Sequence, residues 1–533
     1  MLRYAVCLLS LSVLLAQDHN HGQSSEKPVT LYKGLGTWRH PIHTSNPEAQ
    51  KYFDQGLALM YGFNRYESLR SFRKASELDA NAAMPYWGIA MAQGPYVNME
   101  MDPDYNQKAS CAAVEAGLKL KDIPEREKAY LEAAAKRCPE YQPQLYIDAM
   151  KALAMRWPDD LDALTLYADS LMVANRWRWY DSNGNPAPGQ AEAERTLEQV
   201  LRRWPDHPGA NHMYIHAVES SPTPERAIPS AQRLMGEMPW AGHMVHMPGH
   251  IWLVLGEYET AADVNIRAAQ VDREYMSQSQ VTTSGYGGYY IHNLHFIAYA
   301  RWMQGRREEG LRAADELSAA IAPMIDAMPD MVDGFNAYAT FGRVRFHDWE
   351  GILKLPKPKD TLPVSNAIWH YARAMALAGT GDRAAAAREQ AELDKIRTAL
   401  PAEAQSGINK AKDVLAVASA VVAARQAATP ENAVAAWQRA VAAQDVLGYD
   451  EPPDWYYPVR ESLGASLLTA GKPAEAEAVF REGIKRSPRN GRMLFGLLES
   501  LRAQGKSDAA GWVEQEFKAA WSKADIKLKI EDL

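Results

Sequence analysis

The sequence has no excess of positive charge. Its 58 Lys and Arg stand against 66 Asp and Glu, a net charge of −8, which argues against a nucleic-acid partner held by its phosphates. Beyond the first residues there is no apolar run long enough to cross a bilayer, so the mature chain is expected to have no membrane span. A Gly-rich phosphate loop with Lys-Ser/Thr, a Gly-x-Ser-x-Gly elbow and a His-Glu-x-x-His helix are all missing, which removes the usual signatures of nucleotide, serine-hydrolase and zincin chemistry. Cysteine is limited to Cys7, Cys111 and Cys138. Cys7 lacks the small-residue setting of a lipoprotein cleavage site. The other two can form at most one disulfide around the Asp122-Ile123-Pro124 turn, or stay as two buried thiols.

What is present begins with an apolar stretch, Ala5 to Leu15, which reads as a signal peptide over residues 1–16, cut before Gln17. The mature protein is therefore expected to be exported, periplasmic or secreted, with an extended N-terminal linker over 17–46. Hydrophobic residues at 47%, charged residues at 23% and abundant Ala, Leu, Glu and Arg suit a largely helical chain. A repeat architecture frees its 533 residues from the usual domain-size limit.

The repeat is clearest near the C-terminus, at Leu463, Gly464, Leu467, Gly471, Ala476, Phe480, Gly483 and Pro488. Gly56, Leu59, Ser68, Phe72 and Ala75 fit the same frame near the N-terminus. The pattern resembles the tetratricopeptide repeat, in which small residues let two helices approach and large ones fill the gap. With its leader and histidines, the chain resembles exported bacterial tetratricopeptide repeat proteins with a histidine-rich central groove. The resemblance implies an all-α, right-handed superhelical solenoid of helix-turn-helix repeats. Its segments are N-terminal repeats at 47–158, a central histidine-rich region at 159–330 and C-terminal repeats at 331–533. Insertions fall at 173–190 and 276–290. The second contains Tyr286, Tyr289 and Tyr290 and reads either as a flap over the groove or as an ordinary surface loop. His347 stands where the tight turn normally carries Gly and reads as a turn residue.

Within the central region His212 and His216 reappear 34 residues later as His246 and His250, accompanied by His243, His292 and His295. Thirty-four is the tetratricopeptide period. In that family the second, fifth, ninth and twelfth residues of each unit line the concave groove. Counted from Pro208, Gly242 and Ile291, those places hold all seven histidines and Glu219. The preceding unit supplies Asp162 and Asp169. Residues four apart on a helix lie about 6 Å apart and neighbouring helices about 8–10 Å, so imidazoles from adjacent helices can meet at one ion.

The expected cofactor is a divalent transition metal, whether zinc, copper, iron or manganese, because imidazole and carboxylate donors suit all four. Glu219 and Asp169 are the candidate ligands or general bases, with Asp162 and Tyr299 as outer candidates. Met213, Met244 and Met247 fall off the groove phase and are expected to pack between helices. Two functions stay open. One is a metal-dependent hydrolase or oxidase. The other is a non-enzymatic scaffold that binds a peptide or an exported protein partner in the groove.

Overall fold

Helix starts in this chain are written by side-chain caps. Asn46, Asn64, Asn106 and Asp160 each accept a hydrogen bond from a backbone amide two or three residues on, and Pro47 and Pro143 take first-turn positions where no amide is needed. The resulting computed structural model describes residues 27–98, 105–279 and 286–533. The expected signal peptide lies outside the described residues.

The first half contains α1 (Pro47–Tyr61), α2 (Arg65–Leu78), α3 (Met84–Gln93), α4 (Gln107–Leu118), α5 (Glu125–Ala135), α6 (Pro143–Arg156), α7 (Leu161–Val173) and α8 (Gln190–Arg203). The central elements are α9 (Pro208–Glu219), α10 (Ile228–Glu237), α11 (Gly242–His246), α12 (Pro248–Val254), α13 (Tyr258–Ser279), α14 (Tyr286–Met303) and α15 (Arg307–Ile321). Helices continue to Ala520, and among the described residues the only named strands are the two-residue pair Gln405–Ser406 and Asn409–Lys410. Successive helices pack chiefly on their sequence neighbours, so Leu31–Leu533 forms a single all-α, tetratricopeptide-like array.

The packing reason given by the sequence is visible at Gly464. A Cβ there would lie 2.4 Å from Cζ of Phe480, so only glycine lets the two helices close over that ring. Phe480 is fully buried, which contributes roughly 1.5–3 kcal/mol. His347 has φ of 54°, the left-handed turn conformation expected of it.

Two features differ from simple expectation. Residues 31–46 are extended, but they are fastened to the repeats: Tyr32 stacks on Trp240 with ring centroids 4.0 Å apart, and the Trp38 indole donates to Asp162 at 3.1 Å. Of the 276–290 stretch, residues 280–285 lie outside the described residues and the rest is helical. The helix α13 continues to Ser279 and α14 already starts at Tyr286, because Tyr286 and Tyr289 bury their rings among Tyr275 and His243. Cys111 and Cys138, on α4 and just beyond α5, are joined as a disulfide.

Two apolar cores run through the array. One gathers residues from Leu35 to Tyr289, the other from Leu253 to the C-terminus. The histidine-bearing helices lie where the two meet.

Candidate metal centre

Helix α9 is buried along its whole length and is capped by the side chain of His207, whose Nδ1 accepts from the Ala210 amide at 3.1 Å. This fixes the phase that turns His212 and His216 to one side. The helices α11 and α12 are nearly continuous, since Met247 between them keeps helical angles of −51° and −38°, and Pro248 removes one amide. His243, His246 and His250 therefore stay on one face. His292 and His295 come from α14. Met213, Met244 and Met247 are buried in the apolar core, as their phase implied.

The imidazoles converge in two groups. His212, His216 and His243 present ligand atoms within 4.8 Å of one another, and so do His246, His250 and His292. His212 Nε2 lies 3.1 Å from His243 Nε2, and His246 Nε2 lies 2.7 Å from His250 Nε2. Glu219 joins the groups. One of its oxygens is 2.9 Å from His216 Nδ1, and the other contacts His250 Nδ1.

Acceptors on the outer side of the rings set the tautomers. His212 Nδ1 donates to the Tyr61 carbonyl at 2.5 Å, His216 and His250 Nδ1 to Glu219, and His246 Nδ1 to Asn265 Oδ1 at 2.6 Å. Asn265 presents its oxygen because its amide nitrogen is used on the Ala261 carbonyl at 2.7 Å. His212, His216 and His246, held neutral by burial, thus carry their proton outward and turn an Nε2 lone pair inward, whereas His250, flanked by Glu219 and Glu451, holds a second proton on the Nε2 that faces His246. The three neutral rings have the arrangement of histidine ligands with outer-shell acceptors. His216 Nε2 is buried and has no hydrogen-bond partner.

The surroundings are buried and aromatic. Phe63 lies 4.5 Å from the His212 ring and stacks on His243 at 5.1 Å. Trp177 and Trp179 of the 173–190 insertion lie 5.6 and 5.9 Å from His216. Phe296 covers His246 and His250 at 4.8 and 5.1 Å. The expected open groove is therefore filled at this level, and His212, His216, His243, His246 and His250 are at most 2% exposed.

Burial, followed by mutual repulsion among neighbouring rings, holds His212, His243, His246 and His292 well below the ordinary imidazole range. Burial also lowers His216, against the pull of Glu219. His250 differs: burial alone lowers it, but Glu219 and Glu451 outweigh that and push it up to about 10. Glu219 is lowered despite its burial because His250 and His216 flank it.

Not every expected residue joins. His295 belongs to neither group. It packs edge-on to Tyr338 at 3.9 Å, has both ring nitrogens unpartnered, and is pushed down to about 3 by burial. Asp169 is also outside both groups. Its charged neighbours are Arg137 and Arg65, and burial raises it to about 6. Asp162 lies in a separate buried cluster. It accepts from Tyr61 at 2.7 Å and sits 2.7 Å from His40 Nδ1 and 3.2 Å from His207 Nε2. Its place is to anchor the N-terminal arm. Tyr299 is buried beside the C-terminal segment.

Glu451 was not foreseen. It comes from the far end of the sequence and lies 3.0 Å from His250 Nδ1, and burial next to Glu219 pushes it up to about 7. Asn265 was missed as well, since a lone Asn within α13 carries no ligand signature. The nearest sequence hint was Gly249 opposite it, where a Cβ would stand 2.4 Å from Asn265 Nδ2.

No family model matches the chain. It is similar to an uncharacterized protein of Aquifex aeolicus (strain VF5), with 44% identity over 55 residues. That stretch is 10% of this chain, and the chain spans only 7% of the length of that relative. Among solved structures, the human IFIT1 dimer with m7Gppp-AAAA aligns with a TM-score of 0.34 at 10% identity, covering 90% of this chain and 91% of that one. Yeast Tom70 aligns with a TM-score of 0.33 at 10% identity, covering 88% and 97%. The APC/C hetero-tetramer Cut9-Hcn1 aligns with a TM-score of 0.30 at 12% identity, covering 92% and 77%. At these scores the likenesses carry no argument about function.

Proposed function

We propose that the buried imidazole cluster is a transition-metal centre with two neighbouring positions, one among His212, His216 and His243 and one among His246, His250 and His292. The observation that carries this reading is the set of outward acceptors. The Tyr61 carbonyl, Glu219 and Asn265 commit four Nδ1 protons, leaving the Nε2 atoms of His246 and His250 facing one another at 2.7 Å, a contact that needs a proton or a cation between them. Two lone pairs at that distance repel unless a cation or a proton lies between them.

Imidazole donors fit zinc, copper, iron and manganese, and the ion would supply Lewis acidity or redox chemistry to a hydrolase or oxidase. Glu219 serves in this reading as the carboxylate that orients His216 and His250 rather than as a base on substrate. Export is supported by the N-terminal apolar stretch and by the Cys111–Cys138 disulfide, which suits an oxidising compartment. The scaffold alternative, a peptide laid across the histidines, is disfavoured by their burial.

Elemental analysis of protein purified without an affinity tag tests the proposal. The expected result is one to two equivalents of a transition metal per chain, lost in the His216→Ala/His250→Ala double variant with helical content retained. A chain that takes up no stoichiometric metal on reconstitution contradicts it.

A further inference from the structure

His212, His216 and His243 are at most 2% exposed, and His216 Nε2 is buried without a partner. An ion and a substrate need a path to such a site, so part of its cover has to move. An open cleft of about 1080 Å³ lies between the 173–190 insertion and the segment around 444–460, with Trp177, Ser220 and Tyr449 on its wall. That far exceeds the roughly 30 Å³ of a water and leaves room for an organic substrate as well as an ion. Trp177 also meets the His216 ring edge-on at 5.6 Å. One indole therefore has the cleft on one side and a proposed metal ligand on the other.

The two tryptophans of the insertion are held differently. Trp179 is 2% exposed, donates its indole N–H to the Met172 carbonyl at 3.0 Å and accepts the Ala187 amide on its own carbonyl at 2.8 Å. Trp177 is half-buried, and its indole makes no hydrogen bond to a described residue. It rests by ring contact on Trp179 at 5.1 Å and on His216. Its φ is 60°, in the left-handed region that bulky side chains rarely adopt. Strain of this kind persists only where surrounding packing imposes it, and it gathers at ligand clamps and moving parts. The same wall carries Ser220, the residue after Glu219, whose Oγ is buried without a partner and offers a polar foothold to an entering ion or its water. A competing way in passes Tyr449, two residues before Glu451, but Glu451 touches His250 and so leads to the other imidazole group.

We infer that this cleft is the vestibule of the proposed metal centre and that Trp177 is its gating residue, swinging away from His216 to admit ion and substrate and closing over them. What enters rests on the metal reading. The route rests on His216 and Trp177 alone.

Stopped-flow zinc uptake and chelator-driven zinc release by the full-length protein test this in Trp177→Ala, Trp177→Phe and Tyr449→Ala. A gate changes rates and leaves the equilibrium alone. In Trp177→Ala both rates should rise about tenfold or more, with the dissociation constant unchanged within about threefold, and Trp177→Phe should lie between it and the parent. Circular dichroism reports folding, and Trp177→Phe carries the test if Trp177→Ala does not fold. Unchanged rates in the folded variants, weaker zinc binding through faster release alone, or acceleration in Tyr449→Ala but not in Trp177→Ala would overturn the inference. Carbethoxylation of His216 by diethylpyrocarbonate in chelator-treated protein, read by peptide mass spectrometry, needs no metal. It should be about tenfold faster in Trp177→Ala than in the parent, and equal rates would remove the vestibule. Absence of zinc uptake by the parent removes the metal centre, and the labelling then decides the route by itself.

Discussion

Glu219 accepts ring protons from two histidines on different helices, His216 of α9 at 2.9 Å and His250 of α12. One carboxylate thereby sets the tautomers of one ring in each imidazole group. Replacing such an outer-shell acceptor typically costs 10–100-fold in metal affinity. Glu219→Gln is therefore expected to weaken metal binding by about that factor without unfolding the chain, as read by competition with a chelator. Unchanged affinity would show that Glu219 has no orienting role.

Gly249 is the contact that keeps Asn265 seated against His246. A Cβ at this position would stand 2.4 Å from Asn265 Nδ2. Gly249→Ala should displace the amide, release the His246 ring, and cost about 1–3 kcal/mol through overpacking. Both effects are measurable, by thermal denaturation and by metal content. A fully stable Gly249→Ala with normal metal content would mean that Asn265 is not held by this contact.

Asp272, which belongs to neither imidazole group, provides a pH test on α13 beside Asn293 and Gly242. Burial raises its carboxyl from 3.8 to about 7, against the Asn293 amide that donates to it at 2.6 Å. Because the folded value lies above the unfolded one, the protonated acid is favoured in the folded state. Its stabilisation is complete below about pH 4 and is lost as pH rises through 7. Asp272→Asn, which cannot ionise, should grow more stable relative to the parent across that window, by an amount on the order of 3–4 kcal/mol at its upper end. Denaturation curves at pH 4 and pH 7.5 check the sign. Parallel pH profiles would contradict it.

The Cys111–Cys138 bond closes a sequence separation of 27 residues. Loop-closure entropy gives about 3–4 kcal/mol for a loop of that length. Reduction, or Cys111→Ser/Cys138→Ser, should lower the denaturation midpoint of the N-terminal helices by a corresponding amount. No change on reduction would mean that the bond does not form in the purified protein.

The repeat was legible in the sequence because Gly464 and Phe480, or Gly56 and Phe72, are local partners at fixed spacing, and their contact is the same wherever the repeat occurs. The histidines were legible for the same reason, since a periodic frame says which side of each helix faces its neighbours. That frame could not tell an open groove from a filled one. Trp177, Trp179 and Phe63 come from irregular connections, and the rings they cover are buried. Nor could it separate His295 from His292, three residues apart on one helix, because the ring of Tyr338 captures one and not the other. Glu451 lies 201 residues from His250, beyond any local pattern, and only the folded array brings them within 3.0 Å. Asp169 had the right phase but the wrong neighbours, since Arg137 and Arg65 stand beside it.

Diffraction from crystals of metal-reconstituted protein, collected on both sides of the absorption edge of the bound element, tests the central claim most directly. Two anomalous peaks are predicted, one among His212, His216 and His243 and one among His246, His250 and His292, with Glu219 outside both coordination shells. Peaks elsewhere on the molecule, or none at full reconstitution, would contradict it.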